Sequence, residues 1–319
     1  MLLTIGVPTY NRAESVSHLL HELAALPQTD SVEILVIDDG GSDGTFAMLS
    51  ADPVIAARAR VLRNDRNLGY PRTFARLFAE CTTEYLMVIA DDDEIVAENL
   101  PVLLENLEQH HPSFVSPQYL LGSTVQRGRT APGPIAPRDF LPASVHAPGL
   151  VYRVEDCGGG LEELVERVEA EWADALIYPQ VIIVMHLLLA RGNCSWLAVP
   201  TVRAGANEPS GIRDANGRTY WSVDSRWQQL KAFDVLLARH VASDTTDVAQ
   251  QMFDAHRQRV FRLMTNAFQL DDPALAAAFD SGAQKAYSRP APSALGSLPF
   301  IAWMARLGRA ISRRIRRRD

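Results

Sequence analysis

The stretch Tyr85-Leu86-Met87-Val88-Ile89-Ala90 runs directly into Asp91-Asp92-Asp93-Glu94. A short apolar run that ends in charge reads as a buried strand with acidic side chains at its carboxyl end. The same layout recurs upstream. Leu2 to Val7 is apolar and gives way to Pro8-Thr9-Tyr10-Asn11-Arg12. Val32 to Ile37 is apolar and gives way to Asp38-Asp39-Gly40-Gly41, and Val61-Leu62 leads into Asn64 to Gly69. Between these runs, Val16, Leu19, Leu20, Leu23 and Leu26, then Phe74, Leu77 and Phe78, recur at helical spacing. Leu100 to Leu107 continues as helix and Phe114 to Ser116 as strand. The alternation predicts an α/β fold, a Rossmann-like, mostly parallel sheet flanked by helices. Ligands of such sheets lie outside the carboxyl ends of the strands. The four polar clusters fall at those ends and converge on one rim.

The rest of the chain is less regular. Residues 122–149 are rich in Gly and Pro and read as a long loop that could close over a ligand. Gly158-Gly159-Gly160 reads as a flexible joint, Leu161 to Trp172 as an acidic helix, and Ile177 to Ala190 as an apolar one. Trp221 to Tyr287 has helical periodicity throughout, and Ser288 to Ser297 is a Pro/Ser/Ala linker.

Composition sets limits on function. The 319 residues carry a net charge of −7, with 47% hydrophobic and 22% charged residues, which is ordinary for a globular chain. Leu298 to Asp319 holds seven arginines and one aspartate, so an acidic body of net −13 carries a basic tail of net +6. In that tail Leu298, Phe300, Ile301, Trp303, Met304, Leu307, Ile311 and Ile315 share the segment with the arginines. The pattern predicts a basic amphipathic helix on an anionic membrane surface. The acidic body argues against nucleic acid as a partner. The three cysteines lack metal-like spacing and suggest a reducing compartment. The longest apolar run, Val181 to Leu189, is interrupted by His186 and is too short to span a bilayer. We therefore expect a cytoplasmic protein, peripheral on the inner face of the cell membrane.

Asp91, Asp92 and Asp93 are the sharpest chemical signal. Carboxylates at i and i+2 leave a strand end close together but aimed differently. One can bind a divalent metal while another accepts hydroxyl hydrogen bonds, and a cation offsets their mutual repulsion. Asp38 or Asp39 can accept from a nucleobase N–H or a ribose hydroxyl. Tyr10 can stack on a base, Thr9 can hold its edge, and Arg12 can face phosphate or solvent. His186, inside an apolar helix, reads as a core histidine. The glycine-rich phosphate motifs are missing, so a diphosphate must be neutralised by metal.

Together, Val7 to Arg12, Glu33 to Thr45, Asn67-Leu68-Gly69 and Asp91-Asp92-Asp93 resemble glycosyltransferase family 2 in order and spacing. The resemblance is specific over residues 1–120. Tyr178 to Gly192 and Arg203 to Asn207 are faintly similar to an abequosyltransferase-like branch. It implies a GT-A fold with a helical C-terminal region, a nucleotide-sugar donor and Mn²⁺ or Mg²⁺. It implies Pro8, Thr9, Tyr10, Arg12, Asp38, Asp39, Asn67, Gly69, Asp91 and Asp92 as substrate contacts and Asp93 as metal ligand. The implied layout is a nucleotide-sugar-binding half at 1–120, an acceptor-side half at 121–220, a helical region at 221–290 and the tail at 291–319. The implied reaction is sugar transfer to a glycan or lipid-linked acceptor in bacterial-type surface polysaccharide synthesis. The sequence departs from the family where many members carry Glu-Asp, since Tyr178-Pro179-Gln180 stands there. Asp174 and Glu171 are the nearby candidates for catalytic base. A nucleotidyltransferase making nucleotide-sugars and a catalytically silent nucleotide-binding protein remain alternatives.

Overall fold

The computed structural model describes residues 1–27, 30–127, 131–205, 223–243 and 247–269, with side chains omitted for 223–227 and 259–269. The first βαβ unit is strand β1 (Leu3–Thr9), helix α1 (Ala13–Ala24) and strand β2 (Val32–Asp38). Helices α2 (Thr45–Ala51) and α3 (Pro53–Arg58) lead to β3 (Ala59–Arg63). Asp52 starts α3 because its side chain accepts from the Val54 and Ile55 N–H groups, with Pro53 at the first helical position. Helix α4 (Tyr70–Glu80) leads to β4 (Tyr85–Val88) and the short β5 (Glu94–Ile95).

Helix α5 (Leu100–His110) and strand β6 (Phe114–Leu121) follow. The segment expected as a long loop contains β7 (Thr124–Gln126), β8 (Gly133–Pro134) and helix α6 (Phe140–Ser144). It is also pinned. Arg127 donates to the carbonyls of Pro117, His146 and Pro148, and its guanidinium lies over the Tyr119 ring at 5.1 Å. Then come β9 (Leu150–Arg153), α7 (Gly158–Glu169), α8 (Ala173–Ile177), α9 (Pro179–Leu189) and β10 (Cys194–Ala204). Helices α10 (Val223–Ser243) and α11 (Asp247–Gln269) carry the helical region as far as it is described. The remainder of that region and the basic tail lie outside the described residues.

The strands form one sheet in the order β3-β2-β1-β4-β9-β6-β10-β5, with β7 on β6 and β8 on β10. The first four strands are parallel, as the βαβ alternation requires. Strand β9 is antiparallel to both β4 and β6, while β10 returns parallel to β6. The sheet is therefore mixed and continuous, and the boundary expected at residue 120 falls inside β6.

Period-two alternation feeds two cores, one on each face. Leu35, Ile37, Leu86 and Val88 join Phe74, Leu77 and Phe78 of α4, while Ile34, Val36, Tyr85 and Met87 join Val16, Leu19 and Leu20 of α1. Both faces are covered, which is why these strands read as unbroken apolar runs.

The glycine triplet is not a joint. Gly158, Gly159 and Gly160 form the first turn of α7. A Cβ on Gly160 would lie 2.9 Å from Ile183 Cα, so the glycine lets α7 pack directly on the α9 backbone.

Candidate active site

Strand ends β1, β2 and β4 build the rim. At the end of β1, the Thr9 hydroxyl donates to Asp91 Oδ2 at 2.8 Å, bracing one strand end against another. Arg12 Nη1 lies 3.0 Å from Asp91 Oδ1 and 3.1 Å from Asp92 Oδ2. The expectation for Arg12 was phosphate or solvent; the structure places it on the acidic triplet, where it offsets clustered negative charge. Asn11, at a left-handed φ of 52°, accepts the Ser42 N–H at 2.8 Å and ties the β1 and β2 loops together. Pro8 pairs in register with Ile37, and Tyr10 is exposed beside them.

The two carboxylates ending β2 do different jobs. Asp39 accepts from Asn64 Nδ2 at 2.6 Å and from the Leu68 and Gly69 N–H groups at 2.9 Å each. Asn67 also accepts from the Gly69 N–H, at 2.8 Å. These bonds fold the 64–69 loop over Gly40, whose Cβ, were there one, would sit 2.4 Å from the Arg66 carbonyl carbon. Asp39 thus holds the loop. Asp38 is fully buried, and its Oδ1 accepts the Gly41 N–H at 3.1 Å. Its Oδ2 makes no hydrogen bond and faces Arg63 Nε at 3.3 Å. Burial pushes the Asp38 carboxyl up, against the pull of Gly41 and Arg63.

The triplet is crowded and covered. Asp93 is 3% exposed; its Oδ2 accepts the Ala90 N–H at 2.9 Å and its Oδ1 the Gly205 N–H at 3.1 Å. Burial, aided by the charges of Asp92 and Asp91 and opposed by those two N–H groups, pushes its carboxyl up to about 7. Burial also raises Asp91, against Thr9 and Arg12. Asp92 Oδ1 is buried with no hydrogen bond. Gly205, just past β10, crosses so close that a Cβ there would lie 2.0 Å from the Asp92 carbonyl oxygen. In the sequence only the faint Arg203–Asn207 similarity touches Gly205, because the register of β10 against β6 and β5 brings it in from 112 positions away.

An oxygen-only donor set with an unpartnered buried carboxylate oxygen fits Mn²⁺ or Mg²⁺. A divalent cation would relieve the repulsion that raises Asp93.

The structure places Asp174, expected as the base, in a buried ion pair with Arg167. Asp174 is fully buried, chelated by Arg167 at 3.2 Å (Nε) and 2.6 Å (Nη2), and accepts the Ala175 N–H at 2.8 Å. Arg167 also donates to the Ala232 carbonyl and stacks on Trp172 at 4.6 Å. This pair ties α7 and α8 to α10, and its oxygens have no room for an acceptor. Glu171 is exposed at a left-handed φ of 55°. Gln180, in the place of the usual Glu-Asp, is buried and donates to the Val145 carbonyl at 3.2 Å. An amide there is too weakly basic to take the proton of an acceptor hydroxyl.

The sequence profile described as "Glycosyl transferase family 2" matches residues 4–169, more than half of the chain. The chain belongs to that family. Among curated relatives, abequosyltransferase RfbV of Salmonella typhimurium is 28% identical over 115 residues, covering 34% of this chain and 33% of that protein. Undecaprenyl-phosphate 4-deoxy-4-formamido-L-arabinose transferase of Sodalis glossinidius is 34% identical over 116 residues, covering 34% of each. The matched stretch spans about a third of the length of these relatives. Among solved structures, S. aureus TarS 1–349 in complex with UDP-GlcNAc superposes with a TM-score of 0.63 at 18% identity, over 89% of this chain and 81% of that one. PcManGT of Pyrobaculum calidifontis, in complex with GDP-Man and Mn²⁺, gives 0.54 at 16% identity over 97% and 80%. These likenesses establish the GT-A fold of this family 2 chain. None of its helices among the described residues is long and apolar enough to cross a membrane.

Proposed function

We propose that this family 2 chain is a metal-dependent glycosyltransferase that moves a sugar from a nucleotide-sugar donor to a glycan or lipid-linked acceptor of a bacterial-type surface polysaccharide. One observation carries the reading. The Asp91-Asp92-Asp93 cluster, with Asp91 and Asp93 buried, one Asp92 oxygen without a hydrogen bond and the Asp93 carboxyl raised to about 7, stands at the carboxyl end of β4 beside the loops of β1 and β2. Relatives that transfer sugars to undecaprenyl phosphate or bind UDP-GlcNAc support the donor and acceptor classes.

Each rim residue then has a role. Asp38 Oδ2, which makes an ion pair with Arg63 but no hydrogen bond, accepts from the base, and Tyr10 stacks against it. Asp39, Asn67 and Gly69 act indirectly by holding the loop that walls the nucleotide site. Asp91, held by Thr9 and Arg12, accepts from the ribose or sugar hydroxyls. Asp93, with Asp92 beside it, would hold Mn²⁺ or Mg²⁺, which supplies Lewis-acid stabilisation of the leaving diphosphate. Arg12 is positioned to shift from the triplet to a donor phosphate when a cation takes over its charge-balancing place. Glu171 is the exposed carboxylate offered as acceptor base.

The deciding assay incubates sugar nucleotides with the chain and Mn²⁺ and measures transfer or slow donor hydrolysis. Asp93→Ala should abolish both while preserving the circular dichroism spectrum. Full activity of this variant, or of the wild type in EDTA, overturns the reading. The basic tail, residues 298–318, would place the enzyme at the inner membrane face, each arginine contributing about 1 kcal/mol near anionic lipid. The full chain should pellet with anionic but not neutral liposomes, whereas a chain ending at Ser297 should stay in the supernatant; equal recovery of both rejects the tail as anchor.

A further inference from the structure

Away from the rim, three helices bring together side chains that the sugar-transfer reading does not use. Glu163 of α7, His186 of α9 and His240 of α10 place one ligand atom each within 4.8 Å of the others. Both imidazole Nε2 atoms lie 3.3 Å from the same carboxylate oxygen, Glu163 Oε2. The rings stand perpendicular, with centroids 5.1 Å apart. The other carboxylate oxygen, Oε1, is taken by Arg239.

The separations carry the argument. A charge-assisted N–H···O⁻ bond closes to about 2.7–2.9 Å, so 3.3 Å is long for either imidazole. Ligand atoms bound at about 2.0–2.1 Å to a tetrahedral zinc stand about 3.3 Å apart, the distance of each imidazole Nε2 from Glu163 Oε2. The orientation agrees. Arg239 engages one carboxylate oxygen and leaves the other facing two Nε2 atoms, as an outer partner does for a ligating carboxylate. Glu163 is 7% exposed, and the histidines are partly exposed, which leaves room for water on the open side. Glu163 also borders a cavity between α7 and α10, lined in part by Glu166 and Arg239.

We propose that Glu163, His186 and His240 form a second cation site, distinct from the acidic triplet, that takes one Zn²⁺ with water as fourth ligand and fastens α10 onto α7 and α9. Two nitrogens and one oxygen suit zinc, whereas the all-oxygen triplet suits manganese or magnesium. The site also explains why a histidine interrupts the apolar run Val181 to Leu189 of α9. It joins the helical region to the body at a point where apolar packing alone leaves polar groups facing each other.

The test uses the untagged full chain, stripped with EDTA and titrated with Co²⁺. One equivalent should give the intense visible absorption of tetrahedral cobalt, which a six-coordinate oxygen site does not give, and Zn²⁺ should displace it. Asp93→Asn should keep this band. Glu163→Gln and His240→Ala should lose it and weaken Zn²⁺ binding at least about 100-fold, since even outer-shell changes cost 10–100-fold. If His240→Ala fails to fold by circular dichroism, the wild-type cobalt spectrum and Glu163→Gln still decide. No tetrahedral band in the wild type, a band that survives either ligand variant, or a band lost in Asp93→Asn overturns the proposal and leaves a hydrogen-bonded histidine–glutamate hub.

Discussion

Replacing Asp93 by Asn in the metal-free protein should change how stability depends on pH. The folded-state carboxyl sits at about 7, against an ordinary value of 3.8. Between those values the native chain binds a proton that the unfolded chain has released, so stability falls as pH rises through the window. At about 1.4 kcal/mol per pH unit the full range is about 4 kcal/mol, and the interval from pH 4.5 to 7.5 covers about 3 of them. The Ala90 and Gly205 N–H groups donate to Asp93 at every pH, so losing one of those bonds in the variant lowers stability by about 1 kcal/mol throughout. The pH-dependent difference is therefore the clean quantity. Urea unfolding in EDTA at pH 4.5 and 7.5 measures it. Relative to wild type, Asp93→Asn should gain about 3 kcal/mol on going from the lower to the higher pH. Mn²⁺ at 100 times its Kd should stabilise the wild type by about 2.7 kcal/mol at pH 7.5 and leave the variant unmoved. Parallel pH profiles for the two proteins would refute the account of a carboxyl raised by burial and crowding.

Asp174→Asn leaves Arg167 buried and unpaired, so urea unfolding should show a loss of about 3–5 kcal/mol, while kcat well below the melting temperature stays within about tenfold of wild type; a large kcat loss without destabilisation would restore Asp174 as base. Asp38→Ala should weaken nucleoside diphosphate binding by about 1–3 kcal/mol in calorimetry, and unchanged affinity moves the base elsewhere on the rim. Gly160→Ala forces α7 away from Ile183 and should lower the urea midpoint by an equivalent of about 1–3 kcal/mol; a neutral effect would show that the α7–α9 contact is loose.

The N-terminal half of the fold was legible because its signals are local. Strands β1, β2 and β4 are buried on both faces, so each reads as an unbroken apolar run, and each ends where the backbone leaves the sheet and polar residues begin. The strand-end positions of Asp38, Asp91 and Asp93 were legible for the same reason. The division of labour between Asp38 and Asp39 was not legible. It depends on which carboxylate meets the 64–69 loop, a contact some 30 positions away. The histidine at 186 read as a core residue because its partners lie on other helices, 23 and 54 positions off.

By itself the sequence determined the alternation of strands and helices, the acidic rim and its family, since periodicity and strand-end chemistry are written in neighbouring residues. Only the tertiary structure decided what each charge faces. Arg12 went to the acidic triplet, Asp174 to a buried pair with Arg167, Gly205 to a place over Asp92, and the glycine triplet to a helix contact. The physical reason is the same in each case. A charged or small residue has its role set by the groups packed against it, and strand order and helix packing bring those groups from distant parts of the chain.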